Sequence, residues 1–352
     1  MNADTPLLSE RKCIRLREMW SVTLHEAPVA LCWAPQLHAL AVAPAEGEIV
    51  LLDAANGTIA KRWTGNDNGN FSLAWHPTAA HIAAGGGDGL VRVWSPSEAS
   101  PLATLRAGTG WVERMQWSPG NPHTAARLAA GSGRDICVWG PDFALERTWR
   151  AHAAILDLEW NPLLALFITT HRTGLQMWIP EQDEEPHDID YPGAVLSVRW
   201  SSCGRMFALG NHDATASIID VETMKCLRLG GFAGKVAHLA WDPEGDGFAG
   251  TGGNVISVWD LNTKANNEQL ALALRGHTSS IAALAWQPRG KILASGGSDA
   301  RLLLWLPREE VLPISSHPLT APVTQVAWSS DGRHLAVATR DGRVTLFTND
   351  TP

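Results

Sequence analysis

Along this chain an aliphatic residue or methionine, one intervening residue and a tryptophan recur eight times, usually with a proline two places later. The tryptophans are Trp33, Trp75, Trp117, Trp160, Trp200, Trp241, Trp286 and Trp328, separated by 42, 42, 43, 40, 41, 45 and 42 residues. Residues two apart on a strand share a face. Leu31, Leu73, Met115, Leu158, Val198, Leu239, Leu284 and Val326 are therefore each expected beside their tryptophan. Pro35, Pro77, Pro119, Pro162, Pro243 and Pro288 close six copies, and Ser202 and Ser330 take that place in the other two. A fixed φ and a missing N–H suit the turn that ends such a strand.

Further along each copy come a small, Gly-rich stretch such as Leu293 to Gly297, a tight turn, and an apolar strand closing on a second large residue. Those residues are Leu52, Trp94, Trp139, Trp178, Ile219, Trp259, Trp305 and Phe347. One more alternating segment, for example Ala271 to Leu274, brings the count to four short strands per period. Modules of this length bury their faces against their neighbours. Short, evenly spaced strands joined by turn chemistry predict an all-β fold, an eight-bladed β-propeller of four-stranded antiparallel blades. A seven-bladed ring with one copy displaced is the alternative.

The eighth copy runs out at Phe347 without a fourth strand of its own. Ile14, Leu16, Trp20, Val22 and Leu24 alternate with mostly polar residues ahead of the first copy. Residues 14–24 are expected to pair with the last blade and close the ring, which removes open sheet edges. Trp63 and Trp149 fall in comparable outer segments. The expected organisation is an N-terminal tail over 1–13, one repeat domain over 14–347 and a C-terminal tail over 348–352.

The chain resembles the WD-repeat family over nearly its whole length. The seventh copy carries the fullest match: Gly276-His277, then Trp286, Ser295, Asp299 in the tight turn and Trp305. The resemblance implies that His277, Ser295, Asp299 and Trp305 form a structural tetrad that pins the turn to the strands. Asp88, Asp213 and Asp341 hold the same turn position elsewhere, and His25 and His152 are expected to stand in for the loop histidine. Copies three and six lack both groups, so packing should hold them. The Trp-Asp pair itself survives only as Trp259-Asp260.

Composition adds limits rather than chemistry. Hydrophobic residues make up 45% and charged residues 18%, which fits a buried globular chain and not a disordered one. No run reaches membrane-span length and no basic-then-apolar leader opens the chain, so a cytoplasmic location and no membrane partner are expected. The net charge of −8 argues against general nucleic-acid affinity, because a phosphate backbone demands a basic field. Cys13, Cys32, Cys137, Cys203 and Cys226 are odd in number and show no metal-ligand spacing. The acidic run from Glu181 to Asp190 reads as a solvated loop or as a docking site for a basic segment.

Ser, His and Asp in the seventh copy are assigned to the tetrad and not to catalysis, since a nucleophile also needs an accessible base and an oxyanion site. The glycines around Ala84 to Gly89 lack a P-loop lysine and belong to a strand and turn. His171 and His212 precede the turn position in adjacent copies, but two ligands make a poor metal cage. No cofactor, metal or enzymatic activity is expected. By the geometry the resemblance implies, Trp111, His171, His212, Lys235 and Arg340 are candidate partner contacts on the top face. Trp111 replaces the small residue of most other copies, and its other role is a plug over the central channel. Ala30, Ser72, Arg114, Asp157, Ser197, His238, Ala283 and Gln325 should line that channel. The reading is a protein-interaction scaffold or assembly subunit. A channel that binds a small molecule, metal or substrate is the rival.

Overall fold

Each copy folds as a four-stranded antiparallel meander whose first strand ends at its repeat tryptophan, as in Pro28–Trp33, Ala39–Pro44, Ile49–Asp53 and Ile59–Trp63 of blade 1. The computed structural model describes residues 16–120, 125–182, 185–261 and 271–349. Eight such sheets are present among them, and no helix interrupts the strands. Blade 8 takes its fourth strand from the other end of the chain. Leu16–Thr23 pairs antiparallel with Arg343–Asn349, from Leu16 opposite Asn349 to Thr23 opposite Arg343. The expected closure therefore holds from Leu16 onward, and Thr348 and Asn349, expected in the C-terminal tail, extend the last strand; Ile14, the tail 1–13 and residues 350–352 lie outside the described residues.

The apolar stripe of each sheet is buried between blades and not within one. Leu40, Val42, Val50 and Leu52 of blade 1 pack with Ala336, Ala338, Val344 and Leu346 of blade 8 in one cluster, which Trp20 joins. Ala294, Leu302 and Leu304 of blade 7 share a second cluster with Leu335, Val337 and Phe347. At about 25 cal/mol per Å² of apolar surface removed from water, these inter-blade layers are the main source of stability. Trp63 and Trp149 lie on outer strands as expected.

The repeat tryptophans do more than fill these layers. The indole N–H of seven of the eight reaches across to the previous blade and donates to the carbonyl just before that blade's own tryptophan. Trp75 donates to Cys32 at 3.1 Å, Trp117 to Ala74 at 3.3 Å, Trp160 to Gln116 at 3.0 Å and Trp200 to Glu159 at 3.2 Å. Trp241 donates to Arg199 at 2.8 Å, Trp328 to Ala285 at 3.2 Å and Trp33 to Ala327 at 3.0 Å, which carries the series across the closure. A large apolar body with one polar edge suits this position, which an aliphatic residue could not fill. One rung is missing: the buried Trp286 Nε1 has no acceptor among the described residues. Arg308 spans the same seam from blade 7, contacting Asp242 at 2.9 Å, Glu244 at 3.1 Å and Asp246 at 2.5 Å in blade 6.

The tetrad of blade 7 is assembled in full. His277 Nε2 meets Ser295 Oγ at 2.8 Å, His277 Nδ1 meets Asp299 at 3.0 Å, and Trp305 donates its indole N–H to Ser295 Oγ at 2.8 Å. The expected substitutes differ. His25 is exposed and His152 is mostly exposed, so neither acts as a loop histidine. In blade 4 the fully buried Gln176 takes the polar role, accepting from His152 N and donating to Asp188, while Trp178 donates to Thr169 Oγ1. Blade 5 uses Tyr191, Asn211 and Ser217, and blade 2 uses Arg92 between Asp88 and Asn66. Blades 3 and 6 rely on single hydroxyls, Ser132 to the Gly110 carbonyl and Thr251 to the Val255 carbonyl.

Candidate functional site

The innermost strands form the channel wall, and a recurring irregularity shapes its mouth. Six of them carry a β-bulge one turn in from the upper end, between Pro28 and Ala30, Asn70 and Ser72, Ile155 and Asp157, Val195 and Ser197, Ile281 and Ala283, and Val323 and Gln325. A bulge adds an unpaired residue and re-aims its side chain. The extra residues Val29, Leu196 and Ala282, with Ala237, line the upper cavity and give the mouth an apolar lip.

Backbone hydrogen bonds tie the residue before the turn acid to the residue before the innermost strand: Gly87 N to Gly69 O, His212 N to Ala194 O, Ser298 N to Ser280 O and Arg340 N to Pro322 O. These two sets share one face of the ring. Trp111 stands out there at 59% exposed, stacked on Phe71 of the neighbouring blade with ring centroids 5.1 Å apart and planes 12° from parallel. Phe71 is only partly buried, so the pair presents a contiguous aromatic surface. His212, Lys235 and Arg340 are exposed but belong to blades 5, 6 and 8 and are spread around the rim.

His171 departs from its expected place. It ends the strand Phe167–His171, opposite Ile155, where blade 5 has Asn211 opposite Val195. The turn of blade 4 is shorter, with His171 paired directly to Gly174, so the histidine falls one position early and points into the blade. It is 3% exposed, with Nδ1 facing Thr173, and is no surface contact. His171 is thus buried in blade 4 while His212 is exposed in blade 5.

All eight expected channel positions line an upper cavity of about 510 Å³. A lower cavity of about 610 Å³ adjoins it, and both share Ser72, Leu73, Arg114, Asp157 and Arg199. Asp157 sits between two guanidiniums, 3.3 Å from Arg114 Nε and 2.6 Å from Arg199 Nη1. Arg199, Glu159 and Gln116 escaped the sequence reading. They precede a repeat tryptophan, and the alternation that puts Asp157 on the channel face also puts Glu159 there, two residues on. The corresponding positions elsewhere are Cys32, Ala74, Ala240, Ala285 and Ala327, so blades 3–5 alone carry large polar groups at this level.

These groups are used within the ring. Gln116 Oε1 accepts from Trp160 N, Glu159 Oε2 from Trp200 N and Asp157 Oδ2 from Val198 N, each in the next blade. Burial pushes the Glu159 carboxyl up to about 8, with the Asp157 charge adding to that rise and Arg199 opposing it. Asp157 raises Arg199. His238 is held below the ordinary imidazole value by burial and by the charge of Arg199. Ser295 is fully buried between His277 and Trp305, which withholds it from any substrate. The acid trio Asp242, Glu244 and Asp246, the one group at metal-ligand spacing among the described residues, converges on Arg308.

The imidazoles set the acid limit of the fold. Burial, the largest cause at each, holds His76, His171, His238, His277, His317 and His334 below the ordinary value. With folded values below unfolded ones, the unfolded chain takes up protons first. Their stabilisation is present above about pH 6.5 and is lost as pH falls through the lowered values. Glu159 slopes the other way, because a raised carboxyl favours the fold at low pH and loses that benefit as pH rises toward 8. The six lowered imidazoles outnumber the raised carboxyls, Glu159 and also Asp242, so the melting temperature should fall as pH drops below about 6.5. Glu159→Gln should steepen that fall; a flat thermal profile across this window in both chains would refute the assignment.

The family model for the WD domain, G-beta repeat, matches residues 57–95, 268–305 and 309–348. The chain is 24% identical over 295 residues to WD repeat-containing protein AAC3 of Dictyostelium discoideum, covering 77% of this chain and 53% of that protein. It is 30% identical over 270 residues to cell division cycle 20.1, cofactor of APC complex, of Arabidopsis thaliana, covering 69% and 56% respectively. It is 25% identical over 311 residues to eukaryotic translation initiation factor 3 subunit I of Drosophila grimshawi, covering 84% and 85%. The chain thus spans about half the length of the first two. The crystal structure of the computationally designed Ika8 protein superposes with a TM-score of 0.78 at 18% identity, covering 94% of this chain and 99% of that one, a likeness of fold. Eight four-stranded blades, the tryptophan phrase, the blade 7 tetrad and these matches make the chain a WD-repeat β-propeller protein.

Proposed function

We propose that this ring is a non-enzymatic scaffold or assembly subunit that captures a partner protein on its upper face, with Trp111 as the anchor. The observation that carries the reading is the exposed Trp111–Phe71 stack on a face otherwise built largely from small residues. Aromatic anchors of this kind dominate interface energies. An indole held against a neighbouring ring is already ordered, so less conformational entropy is lost on docking. Two relatives are named as a complex cofactor and a factor subunit, which supports a role within assemblies. We place that role in the cytoplasm, with protein partners and neither nucleic acid nor membrane as ligand.

Trp111→Ala should weaken partner capture by roughly 2 kcal/mol, about thirtyfold in Kd, with an unchanged thermal melt. The measurement is recovery of co-purifying proteins from native cells with the wild-type and variant chains as bait. Equal recovery from both would remove Trp111 as the anchor. A lowered melt without selective loss of partners would make the side chain a plug for the channel.

A further inference from the structure

The channel has one polar wall and one small-residue wall, and the hydrogen-bond account of the polar wall does not balance. Asp157 is saturated: Oδ1 accepts from Leu158 N and lies near Arg114 Nε, and Oδ2 accepts from Val198 N and Arg199 Nη1. Glu159 accepts from Trp200 N through Oε2. The guanidiniums are not saturated. Arg114 spends Nε on the Leu156 carbonyl and Nη1 on the Glu113 carbonyl, and Arg199 spends Nη1 on Asp157 and the Val198 carbonyl. Among the described residues, no acceptor meets Arg114 Nη2 or Nε and Nη2 of Arg199. Both side chains remain nearly half exposed, and both line the two cavities that meet at this level.

We propose that the waist of the channel, at Arg114, Asp157 and Arg199, binds a small organic oxyanion, a carboxylate or phosphate monoester borne on an apolar body. Guanidiniums with donors to spare select an acceptor ligand. Asp157 is the carboxylate in contact with both guanidiniums, while Glu159, whose carboxyl burial pushes up to about 8, lies 3.9 Å from Arg199, and Glu113 also lines the lower cavity. Asp157 holds the two forks in place and keeps them from repelling each other, so a ligand meets pre-oriented donors. The opposite wall supplies the room. Ala30, Cys32, Ala74 and Ala283 leave apolar space there, and cavities of this size are those of small-molecule sites. This site is separate from the Trp111 face.

Trp117, Trp160 and Trp200 line the lower cavity and supply the signal. The full chain is titrated with phenyl phosphate, with 4-phenylbutyrate and with the uncharged 4-phenylbutanamide, following intrinsic tryptophan fluorescence. Saturable change is expected with at least one anion and none with the amide, and which anion saturates distinguishes phosphate from carboxylate. Arg199→Ala and Arg114→Ala should each weaken binding about tenfold or more, since each removes a charged fork. Should either chain lose its near-ultraviolet circular dichroism, Arg199→Gln and Arg114→Gln keep most of the volume without the charge and carry the same expectation. Trp111→Ala should bind the anion as wild type does, which separates this site from the partner face. Absence of saturation with both anions, equal affinity in the arginine variants, or equal binding of the amide would each overturn the proposal.

Discussion

Removing residues 1–24 should lower the melting temperature by about 10 °C or more, since the loss of several kcal/mol of burial translates into a few degrees for each. The deletion strips the outer strand from blade 8 and leaves Arg343–Asn349 as an unpaired edge open to other chains. It also takes away Trp20, whose ring is wedged between blades 8 and 1. Trp20 is buried, donates its indole N–H to the Ala54 carbonyl at 2.8 Å, and sits so close to Gly57 that a Cβ there would lie 2.7 Å from the ring. Trp20→Ala alone should cost about 3–5 kcal/mol, the range for truncating a buried large aromatic. Thermal melts of the two chains, with light scattering to detect association, check both parts. An unchanged melt in the deleted chain would show that the ring closes without this strand.

Asp157→Ala should produce the largest loss available from a single polar side chain in the channel, about 3 kcal/mol. The change leaves the Val198 N–H without its acceptor, at about 1–3 kcal/mol for a buried unsatisfied group. It also leaves Arg114 and Arg199 facing each other. Both guanidiniums are more than a third exposed, so the charge part is set at the modest value of solvent-screened pairs, about 1 kcal/mol. Asp157→Asn removes the charge, keeps one of the two acceptor oxygens and sets an amide donor where the other accepted, so it should cost less than the alanine change but not as little as loss of charge alone. A double-mutant cycle with Arg199→Ala reads the coupling directly, and denaturant melts supply the free energies. Strictly additive losses would mean that Asp157 acts through its backbone contacts alone.

The strand pattern, the blade count and the closing segment were legible because each rests on a period-two alternation repeated eight times. The channel face was legible for the same reason, down to the eight residues at its upper level. What escaped was geometry within that frame. Alternation says that Trp160 faces the next blade, but not that its N–H lands on the Gln116 carbonyl. Glu159 and Arg199 were missed although the rule that found Asp157, applied two residues further on, reaches both channel positions. His171 was misplaced by one residue, since a tight turn can shorten without any mark in the apolar pattern. His152 failed for another reason: in blade 4 Gln176 takes the buried polar role, and nothing in spacing distinguishes an amide from an imidazole there.

The antiparallel pairing of Leu16–Thr23 with Arg343–Asn349 also fixes how the ring yields to force. Leu16 lies opposite Asn349, so the outer ends of the two strands emerge side by side from the same edge of blade 8. Tension applied between them loads the ladder one rung at a time, as in unzipping, instead of sharing the load across all its hydrogen bonds in shear. A pull between Leu16 and Asn349 should therefore peel this strand from blade 8 at lower force than a shear along the ladder would need.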